Sequence, residues 1–548
     1  MKFKRAITLG TVTLLSALFL ANSTVTNANA SSKYAKNQTL NWTESQELAT
    51  NDLAKATDTE SFNVLLNTQS GLYRLKDSGH KIVNDLATST KISKDGKTYT
   101  VKLRHNAKWS NGDPLTAQDF VYSWQRTLDP KTASQDAFYM YQVENAEAVN
   151  KGQKPLSALG IKADGKYQLT IHLTKPVSYF QKLLAWPLFF PVNKKVATQE
   201  GNKFGTSAKN NVYSGAFKLT GWTGTNSKWT LAKNGKYWDN KHVHLNKINE
   251  QVVKDPSTGL NEYQSHKIDE TVLSGEQVAN FKGHKDFVSR KSSNGYRLDF
   301  NQKKVKAFQN VNVRKAFSLA LNRKDLVNNV LSDGSVVPQG FAPTGIGTNP
   351  KSGKDFAKSA YVKSGVTYNL SEAKKLLKQG YKQTGTKSIK TEVLTTDDDA
   401  GKNVGEFIQS QLEKLPNVKV SVVNLPKTAQ LAREKSGNFQ LIIGGWQSVF
   451  ADPINFLDIW ESTSPYNFSG WNNKQYDTLL SASENSLANK PEDRWNNLVK
   501  AEKLLMTQQG TAPLFQKVQA QLLNTKVKDV NYNPSGVPYD WKETYIAK

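Results

Sequence analysis

The sequence predicts an α/β protein of several domains, and three observations support this prediction. The chain has 548 residues, a length typical of two to four domains. Its 37% hydrophobic and 10% aromatic residues are enough to bury large cores, so we do not expect disorder over most of the chain. Residues 389–446 alternate strand, helix, strand, helix, strand, an order that indicates a parallel sheet.

The composition excludes several classes of protein. The chain contains no cysteine, which excludes a disulfide scaffold, a cysteine nucleophile and a thiolate metal site. Its 73 Lys and Arg residues outnumber 47 Asp and Glu residues, giving a formal charge of +26. Most of the excess is Lys, a hydrated point charge that favours a diffuse anionic partner. Composition alone leaves nucleic acid, anionic membrane and cell-wall polymer open.

The first 30 residues have the pattern of a secretory signal peptide. Lys2, Lys4 and Arg5 precede an apolar run from Ala6 to Leu20, and Ala28-Asn29-Ala30 is a cleavage signal. A retained membrane anchor is disfavoured because the apolar run is shorter than the ~20 residues that a span needs. We therefore expect a secreted chain beginning near Ser31. Loss of the three basic residues lowers its charge from +26 to +23, and nucleic acid is not an expected partner outside the cell.

The first third of the mature chain predicts strands and one amphipathic helix. Residues 32 to about 50 are polar, and we expect them to be loose before the fold begins. The turns 94–97 and 163–166 each precede strictly alternating apolar residues, which predicts two half-buried strands. Thr116 and Asp119 have capping-box spacing at the start of a helix whose apolar face comprises Ala117, Phe120, Val121 and Trp124.

Further along, strands are predicted near 217–222, 229–232 and 248–253, and a helix after Asn312. The alternating region comprises strands at 389–394, 418–423 and 439–443, with helices around 404–412 and 429–433. Ligands of parallel sheets bind outside the carboxyl ends of the strands. Gly444-Gly445-Trp446, at the end of the third strand, is therefore the first candidate site.

Known catalytic motifs are absent from the sequence. It has no G-x-S-x-G, no H-E-x-x-H and no G-x-G-x-x-G after a strand, so we expect neither an enzyme nor a cofactor. His242 and His244 would share one face of a strand, but zinc needs three or four ligands, which favours a surface pair. The acidic run 397–399 is interpreted as a helix cap, with a calcium site as the alternative.

Several longer motifs resemble one protein family. They are KDGKTYTVKLRHNAKWSNGDPLTAQDFVYSWQR (94–126), SGAFKLTGW (214–222), KYWDNKHVHLNKI (236–248), NVRKAFSLALNRKDLV (312–327) and GGWQSVFADPINFLD (444–458). In this order and spacing they are similar to the family 5 extracellular solute-binding proteins, the oligopeptide-binding components of ABC importers. The resemblance covers nearly the whole mature chain.

The resemblance implies a two-lobed, three-domain periplasmic-binding-protein-like fold (class II, cluster C type) that closes over its ligand by a hinge. Domain I would comprise residues 31–72, 189–295 and 516–548. The inserted domain II would comprise residues 73–188, and domain III, the second lobe, residues 296–515.

The resemblance also implies a site in which an extended peptide adds a strand between the lobes. The matching strand is Gly445-Trp446-Gln447, followed by Ser448 and Val449. The opposing segment in the first lobe is Thr57-Asp58-Thr59, and an aromatic wall would come from Tyr139 or Tyr141. For Trp446 and the two tyrosines, an ordinary core position is the alternative.

Two departures from the family pattern carry hypotheses. Many members have an Asp three residues after the Trp, where it pairs with the peptide ammonium, and Val449 stands there in this chain. Asp452 is three residues further on, and its spacing along a strand is expected to point it to the other face. We therefore hypothesise that a free N-terminus is not recognised in the usual way. Leu20-Ala21-Asn22 lies where a lipid-bearing Cys would be, so we expect no lipid anchor.

The leading prediction is a secreted, monomeric peptide-binding protein of a single-membrane bacterium. Its expected partners are a peptide ligand, an ABC permease and anionic cell-wall polymers, with no nucleic acid, metal or cofactor. The main alternative is a surface adhesion or wall-associated protein that keeps the solute-binding fold, and a secreted hydrolase is a third possibility with little support.

Overall fold

The computed structural model describes residues 33–548, so the predicted signal peptide lies outside the described residues. Helices and strands alternate along this range. The α-helices of eight or more residues are Thr59–Thr68, Ala117–Leu128, Pro256–Gln264, Val311–Leu319, Leu370–Thr384, Asp399–Leu412, Lys427–Lys435, Lys474–Glu484 and Pro491–Thr507. Shorter α-helical segments are Ala146–Asn150, Phe180–Leu183, Lys194–Glu200, Glu276–Phe281, Arg323–Asp325, Phe356–Ala360, Lys363–Val366 and Ile454–Leu457.

A four-stranded sheet forms near the beginning of the described chain, in the order Thr39–Glu44, Lys247–Val252, Lys228–Lys233 and Phe217–Thr220. Its last three strands confirm the sequence prediction. The expectation that residues 32 to about 50 are loose was wrong, because Thr39–Glu44 pairs in parallel with Lys247–Val252. Leu40 and Trp42 alternate with polar residues and are 0% and 1% exposed. Two apolar side chains were too short a pattern to recognise.

Two buried carboxyl groups lie at this sheet, Glu250 on strand Lys247–Val252 and Glu270 through its contact with Thr43 of strand Thr39–Glu44. Glu250 is 1% exposed and accepts a hydrogen bond from Trp229 Nε1. Glu270 is also 1% exposed and accepts hydrogen bonds from Thr43 Oγ1 at 2.8 Å and Gln521 Nε2 at 2.7 Å. Burial raises the pKa of Glu270 to about 7, and it raises the pKa of Glu250 as well.

These raised pKa values predict that the protein is more stable in mild acid. The stability from the protonated carboxyls is fully present below the unfolded pKa of roughly 4.3, and it is lost as the pH rises through about 7. We expect the free energy of unfolding to fall between about pH 5 and pH 8, by an amount on the order of 3 kcal/mol from Glu270 alone. Denaturant titrations at the two pH values measure this difference.

A matched pair of variants isolates the buried carboxyls. Glu250→Gln removes one titrating group and is expected to reduce the decrease in the free energy of unfolding between pH 5 and pH 8. Glu406→Gln changes an exposed residue and should leave that decrease unaltered. A wild-type protein that becomes more stable between pH 5 and pH 8 would contradict this interpretation.

A second four-stranded sheet, called here the inserted sheet, has the order Ala87–Ile92, Thr98–Leu103, Gln168–His172 and Ile161–Ala163. Both predicted hairpins are confirmed, since the second strand pairs antiparallel with the first and the third with the fourth. Helix Ala117–Leu128 is confirmed with its capping box, in which the Thr116 N–H donates to Asp119 Oδ2 at 2.7 Å. Two hairpins and one capped helix thus form a unit inside the longer chain.

A six-stranded sheet has the order Glu270–Val272, Thr511–Leu523, Phe287–Phe300, Leu441–Gln447, Ile389–Thr396 and Val418–Leu425. The predicted parallel arrangement is confirmed, because Ile389–Thr396 pairs in parallel with Val418–Leu425 and with the start of Leu441–Gln447. Helix Val311–Leu319 is also confirmed. Phe287–Phe300 and Thr511–Leu523 are long strands, and their pairing register shifts between Lys291 and Gly295.

Short ladders complete the described fold. They join Tyr73–Lys76 to Lys81–Asn84, Val527–Lys528 to Tyr545–Ile546, and Asn531–Tyr532 to Tyr539–Asp540. Among residues 33–548, no helix combines the length and the apolar character needed to cross a bilayer.

The inserted sheet and the C-terminal helices share one buried apolar cluster. At their contact, the rings of Tyr179 and Phe450 stack with centroids 4.4 Å apart. Lys175 Nζ lies 3.2 Å from Glu484 Oε2, and Asn489 Nδ2 donates to the Asp95 carbonyl at 3.2 Å. These contacts hold the inserted sheet against the segment that follows strand Leu441–Gln447.

Candidate peptide-binding edge

Strand Leu441–Gln447 has one open edge over its second half. On one side it pairs antiparallel with Phe287–Phe300 along its full length, from Leu441 opposite Phe300 to Gln447 opposite Asn294. On the other side, pairing with Ile389–Thr396 covers only Leu441 and Ile442. The backbone from residue 443 onward therefore offers an edge to which another strand can add. The strand continues to Gln447, beyond the end expected from the sequence.

The ladder determines which backbone groups face the open edge. The Ser448 N–H donates to the Ser293 carbonyl at 3.2 Å, so this pair is hydrogen-bonded. In an antiparallel ladder such pairs alternate, which turns the N–H and C=O of residues 443, 445 and 447 away from the partner strand. Consistent with this, the Ile443 carbonyl accepts a hydrogen bond from the Gln430 side chain at 2.9 Å.

Gly445 and Gln447 thus supply the outward-facing backbone groups of the open edge. Both residues are exposed, whereas Ile443 and Gly444 are buried. The absence of a side chain at Gly445 also has a packing reason, because a Cβ there would lie 3.3 Å from the Tyr296 ring. That ring stacks on Phe515 with centroids 4.6 Å apart and has little room to move.

Trp446 lies between these two residues, and its side chain is fixed on the face of the sheet opposite to that of the Gln447 side chain. Its indole is half-buried, and Nε1 donates to the Asn455 carbonyl at 2.6 Å. The ring meets Tyr466 edge to face, with centroids 5.1 Å apart. Asn455 Oδ1 also accepts the Val449 N–H at 3.1 Å. The segment after the strand is thereby folded back and held under the indole.

At the two positions considered for an ammonium partner, Val449 carries no charge and Asp452 is paired within the protein. Val449 is half-buried and aliphatic, and Asp452 forms a bidentate pair with Arg494, both N–H···O distances being 2.9 Å. Burial alone would raise the Asp452 pKa, but Arg494 and Lys182 outweigh burial and lower it. Asp452 is already paired and is not free for a ligand ammonium. The strand ends at Gln447, so strand alternation was the wrong reason for its orientation.

The opposing segment, Thr57-Asp58-Thr59, precedes helix Thr59–Thr68. Thr57 and Thr59 are exposed. Asp58 is half-buried and is the N-cap of the helix, since its Oδ1 accepts the Ser61 N–H at 2.7 Å. Two threonine side chains and the adjacent backbone are therefore the accessible groups, while one Asp58 oxygen has a structural partner.

A series of aromatic ring contacts leads from this helix to Tyr139. Phe62 contacts Trp186, with centroids 4.9 Å apart, and Trp186 meets Tyr139 edge to face at 5.0 Å. Burial raises the pKa of the Tyr139 hydroxyl, and the nearby Asp136, Tyr466 and Asp458 raise it further. Tyr139 thus lies at the end of a series of ring contacts that begins at Phe62.

Tyr141 points elsewhere within its own unit. Its hydroxyl donates to Asn150 Oδ1 at 2.9 Å, and the ring packs against the large apolar cluster. Of the two tyrosines, Tyr139 is the one joined by ring contacts to helix Thr59–Thr68, and its role as an aromatic wall stays a prediction.

Two other sequence motifs are explained by local structure. His242 was predicted on a strand, but it lies in the 3₁₀ turn Asn240–His242, where its Nδ1 is 2.5 Å from Asp239 Oδ1. His244 stacks on Tyr34 instead of sharing a face with His242. Asp398 caps helix Asp399–Leu412, as predicted, by accepting the Gly401 N–H at 2.9 Å. Within residues 33–548, no group of three or more His, Cys, Asp or Glu side chains is arranged to hold a metal ion.

Sequence reasoning missed several residues that shape this edge. Ser293 sets the ladder, Asn455 and Tyr466 hold Trp446, and Arg494 neutralises Asp452. Of these residues, Arg494 alone left a signal in the sequence. It lies on the apolar face of helix Pro491–Thr507, and a cation on such a face needs a partner. The others lie in loops without periodicity.

The chain is similar to known proteins in sequence and in fold. Residues 81–468 match the family described as bacterial extracellular solute-binding proteins, family 5 Middle. The dipeptide-binding protein of Lactococcus lactis subsp. cremoris (strain MG1363) is 32% identical over 562 residues, which cover all of both chains. The structure of Listeria monocytogenes OppA bound to peptide has a TM-score of 0.75 and 38% identity, covering 94% of this chain and 100% of that one.

A second solved structure, that of the peptide-binding pheromone receptor PrgZ, has a TM-score of 0.76 and 37% identity, and it covers 93% of this chain and 100% of the other. These likenesses confirm the α/β, periplasmic-binding-protein-like fold that the sequence motifs implied.

Proposed function

The chain belongs to the family 5 bacterial extracellular solute-binding proteins, and from this premise we propose that it captures oligopeptides outside the cell and delivers them to an ABC importer. The open edge at Gly445 and Gln447 is the observation that carries the proposal. An extended peptide can add there as a strand, using backbone groups that every peptide has. Broad tolerance of peptide sequence follows from this mode of binding.

In this proposal the ligand lies between strand Leu441–Gln447 and the segment Thr57-Asp58-Thr59. Gly445 and Gln447 bind its backbone, and Ser448 and Val449 line the end of the strand. Trp446 and Tyr139 are walls, and Tyr141 supports the inserted unit. The protein binds and releases its ligand without covalent chemistry, in keeping with a family of binding proteins.

Domain movement would accompany binding. We assign domain I to residues 31–72, 189–295 and 516–548, domain II to 73–188 and domain III to 296–515. The two long strands Phe287–Phe300 and Thr511–Leu523 cross the proposed boundary, and their register shift lies beside it. Bending at this point would open and close the lobes as a hinge.

A free N-terminal ammonium is proposed to contribute little to binding. Val449 offers no charge at the position where an ammonium partner is expected, and Asp452 is neutralised by Arg494. We expect matched free and N-acetylated peptides to bind with similar affinity in calorimetric titrations. A preference of about 100-fold or more for the free amine, typical of a buried charge pair, would contradict this proposal.

Val449→Asp is the matched variant for the same titration. It places a carboxylate at the end of the strand and is expected to create a preference of about 10-fold or more for the free amine. Failure of both peptide forms to bind the wild-type protein would instead contradict peptide capture itself.

Retention at the surface is proposed to depend on charge. Family members act outside the cytoplasm, and this sequence has no cysteine to carry a lipid. The excess of 73 basic over 47 acidic residues suits attraction to anionic cell-wall polymers by a monomer without a lipid anchor. We expect ~1 M salt, where the Debye length is about 3 Å, to release the protein from washed cells. Retention of the protein at that salt concentration would contradict the proposal.

The alternative, a surface adhesion or wall-associated protein that keeps the solute-binding fold but has lost transport, is not favoured. Relatives that match 87–100% of this chain are described as dipeptide- or oligopeptide-binding. Ligand-dependent closure in solution scattering would distinguish the two functions, since an adhesion protein without a ligand has no reason to close.

A further inference from the structure

A cavity of about 620 Å³ is lined by residues from the middle of the chain, none of which belongs to the peptide-binding edge. It shares no lining residue with that edge or with the opposing segment. Its lining comes from three chain segments, which are 322–324, 337–339 and 358–368. The volume is within the range of small-molecule sites, roughly 300–1,000 Å³.

The charges that line this cavity are all positive. Arg323 is 2% exposed, and its guanidinium donates to the carbonyls of Ser318 and Val366 at 3.0 and 3.2 Å. Its partners in the described part of the chain are carbonyl and hydroxyl oxygens, with no carboxylate among them. Lys324 and Lys358 also line the cavity, and the lining includes no Asp or Glu.

The acidic residues next to the lysines in sequence have other partners. Asp325 Oδ1 accepts a hydrogen bond from Asn329 Nδ2 at 2.5 Å. Asp355 Oδ2 accepts the Gly345 N–H at 2.8 Å, and its Oδ1 accepts the Lys358 backbone N–H at 3.3 Å. Their hydrogen bonds tie both carboxylates to the local fold, which leaves a buried arginine and two lysines around the cavity.

The same cavity gathers exposed apolar side chains. Val337, Tyr361 and Tyr368 are 41%, 45% and 43% exposed, and all three line it. Exposed apolar groups that converge on a concave surface mark a binding site more often than scattered ones do. The cavity therefore combines an apolar body with a cationic rim.

We infer that this cavity binds a small amphipathic anion, one carboxylate or similar group on an apolar body, independently of the peptide. The cations attract the acidic group, and the exposed rings and Val337 cover the apolar part. The site is distinct from the proposed peptide site, because none of its lining residues belongs to strand Leu441–Gln447 or to Thr57-Asp58-Thr59.

Titration calorimetry with octanoate, using full-length mature protein already saturated with peptide, tests the inference. We expect one octanoate to bind per chain, and 1-octanol, which lacks the charge, to bind at least 10-fold more weakly. Lys324→Gln with Lys358→Gln should weaken octanoate binding at least 10-fold without changing peptide affinity. The matched control, Lys390→Gln with Lys419→Gln, alters two exposed lysines elsewhere. It should change neither the octanoate affinity nor the peptide affinity.

Tyr361→Ala with Tyr368→Ala is expected to weaken the binding of octanoate and of octanol to the same extent. This separates the apolar contribution to binding from that of the carboxylate charge. The inference is overturned if octanoate does not bind, if peptide displaces it, or if the two lysine pairs have equal effects. Binding to anionic phosphatidylglycerol vesicles without binding of free octanoate would likewise overturn it.

Discussion

Replacing Asp452 with asparagine is expected to lower the free energy of unfolding by about 3–5 kcal/mol. The substitution leaves Arg494 buried at 7% exposure without its bidentate partner. Lys182 adds a second positive charge beside it, since its Nζ donates to the Ala451 carbonyl. Two cations would then lie close together without the carboxylate that pairs with Arg494, and the contact between the inserted sheet and residues 449–452 would loosen.

Urea denaturation of the wild-type protein, Asp452→Asn and a double variant measures this effect. Adding Arg494→Met to Asp452→Asn removes the orphaned charge and is expected to restore most of the stability. A loss below about 1 kcal/mol for the single variant, the range of an exposed pair, would show that the pair is not buried in solution.

Replacing Gln447 with proline is expected to weaken peptide binding about 10- to 100-fold, since an unmade buried hydrogen bond costs ~1–3 kcal/mol. Proline removes the N–H that faces the open edge, but it leaves the ladder to Phe287–Phe300 intact, because that ladder uses the N–H of Trp446 and Ser448. Edge positions with an outward N–H tolerate proline. We therefore expect a large change in affinity with a small change in stability.

Gln447→Ala is the matched control for this prediction. It removes the exposed side chain and keeps the N–H, so its peptide affinity is expected to stay close to that of the wild-type protein. Calorimetric titration of both variants with one peptide gives the comparison. Equal affinities for the proline and alanine variants would mean that the ligand does not pair with this edge.

Much of the fold was predictable because it follows from local patterns. The alternation after Gly96 and Gly165 and the capping box at Thr116 each predicted an element that the structure contains. The strand–helix order of residues 389–447 was sufficient for a parallel sheet. The strand at Leu40 and Trp42 was missed, since its pairing partner lies about 200 residues away and two apolar residues give no reliable period.

The site was predictable only in part. The parallel-sheet rule pointed to Gly444-Gly445-Trp446, and the resemblance added Gln447. The open edge itself depends on where a neighbouring strand stops pairing, which no local pattern encodes. The partners of Trp446 and Asp452 lie in other segments of the chain, Tyr466 in a loop and Arg494 on a helix. For the two histidines, a local pattern misled the prediction. The H-x-H spacing suggested that His242 and His244 share one face of a strand, but His242 lies in a 3₁₀ turn.

Hydrogen exchange at individual backbone amides, with and without a bound oligopeptide, tests the central claim most directly. The N–H groups of Gly445 and Gln447 face an open edge, whereas the N–H of Trp446 already lies in a ladder. Peptide binding is therefore expected to slow exchange strongly at Gly445 and Gln447 and to change it little at Trp446. Saturating peptide that leaves Gly445 and Gln447 exchanging as fast as before would contradict binding by strand addition at this edge.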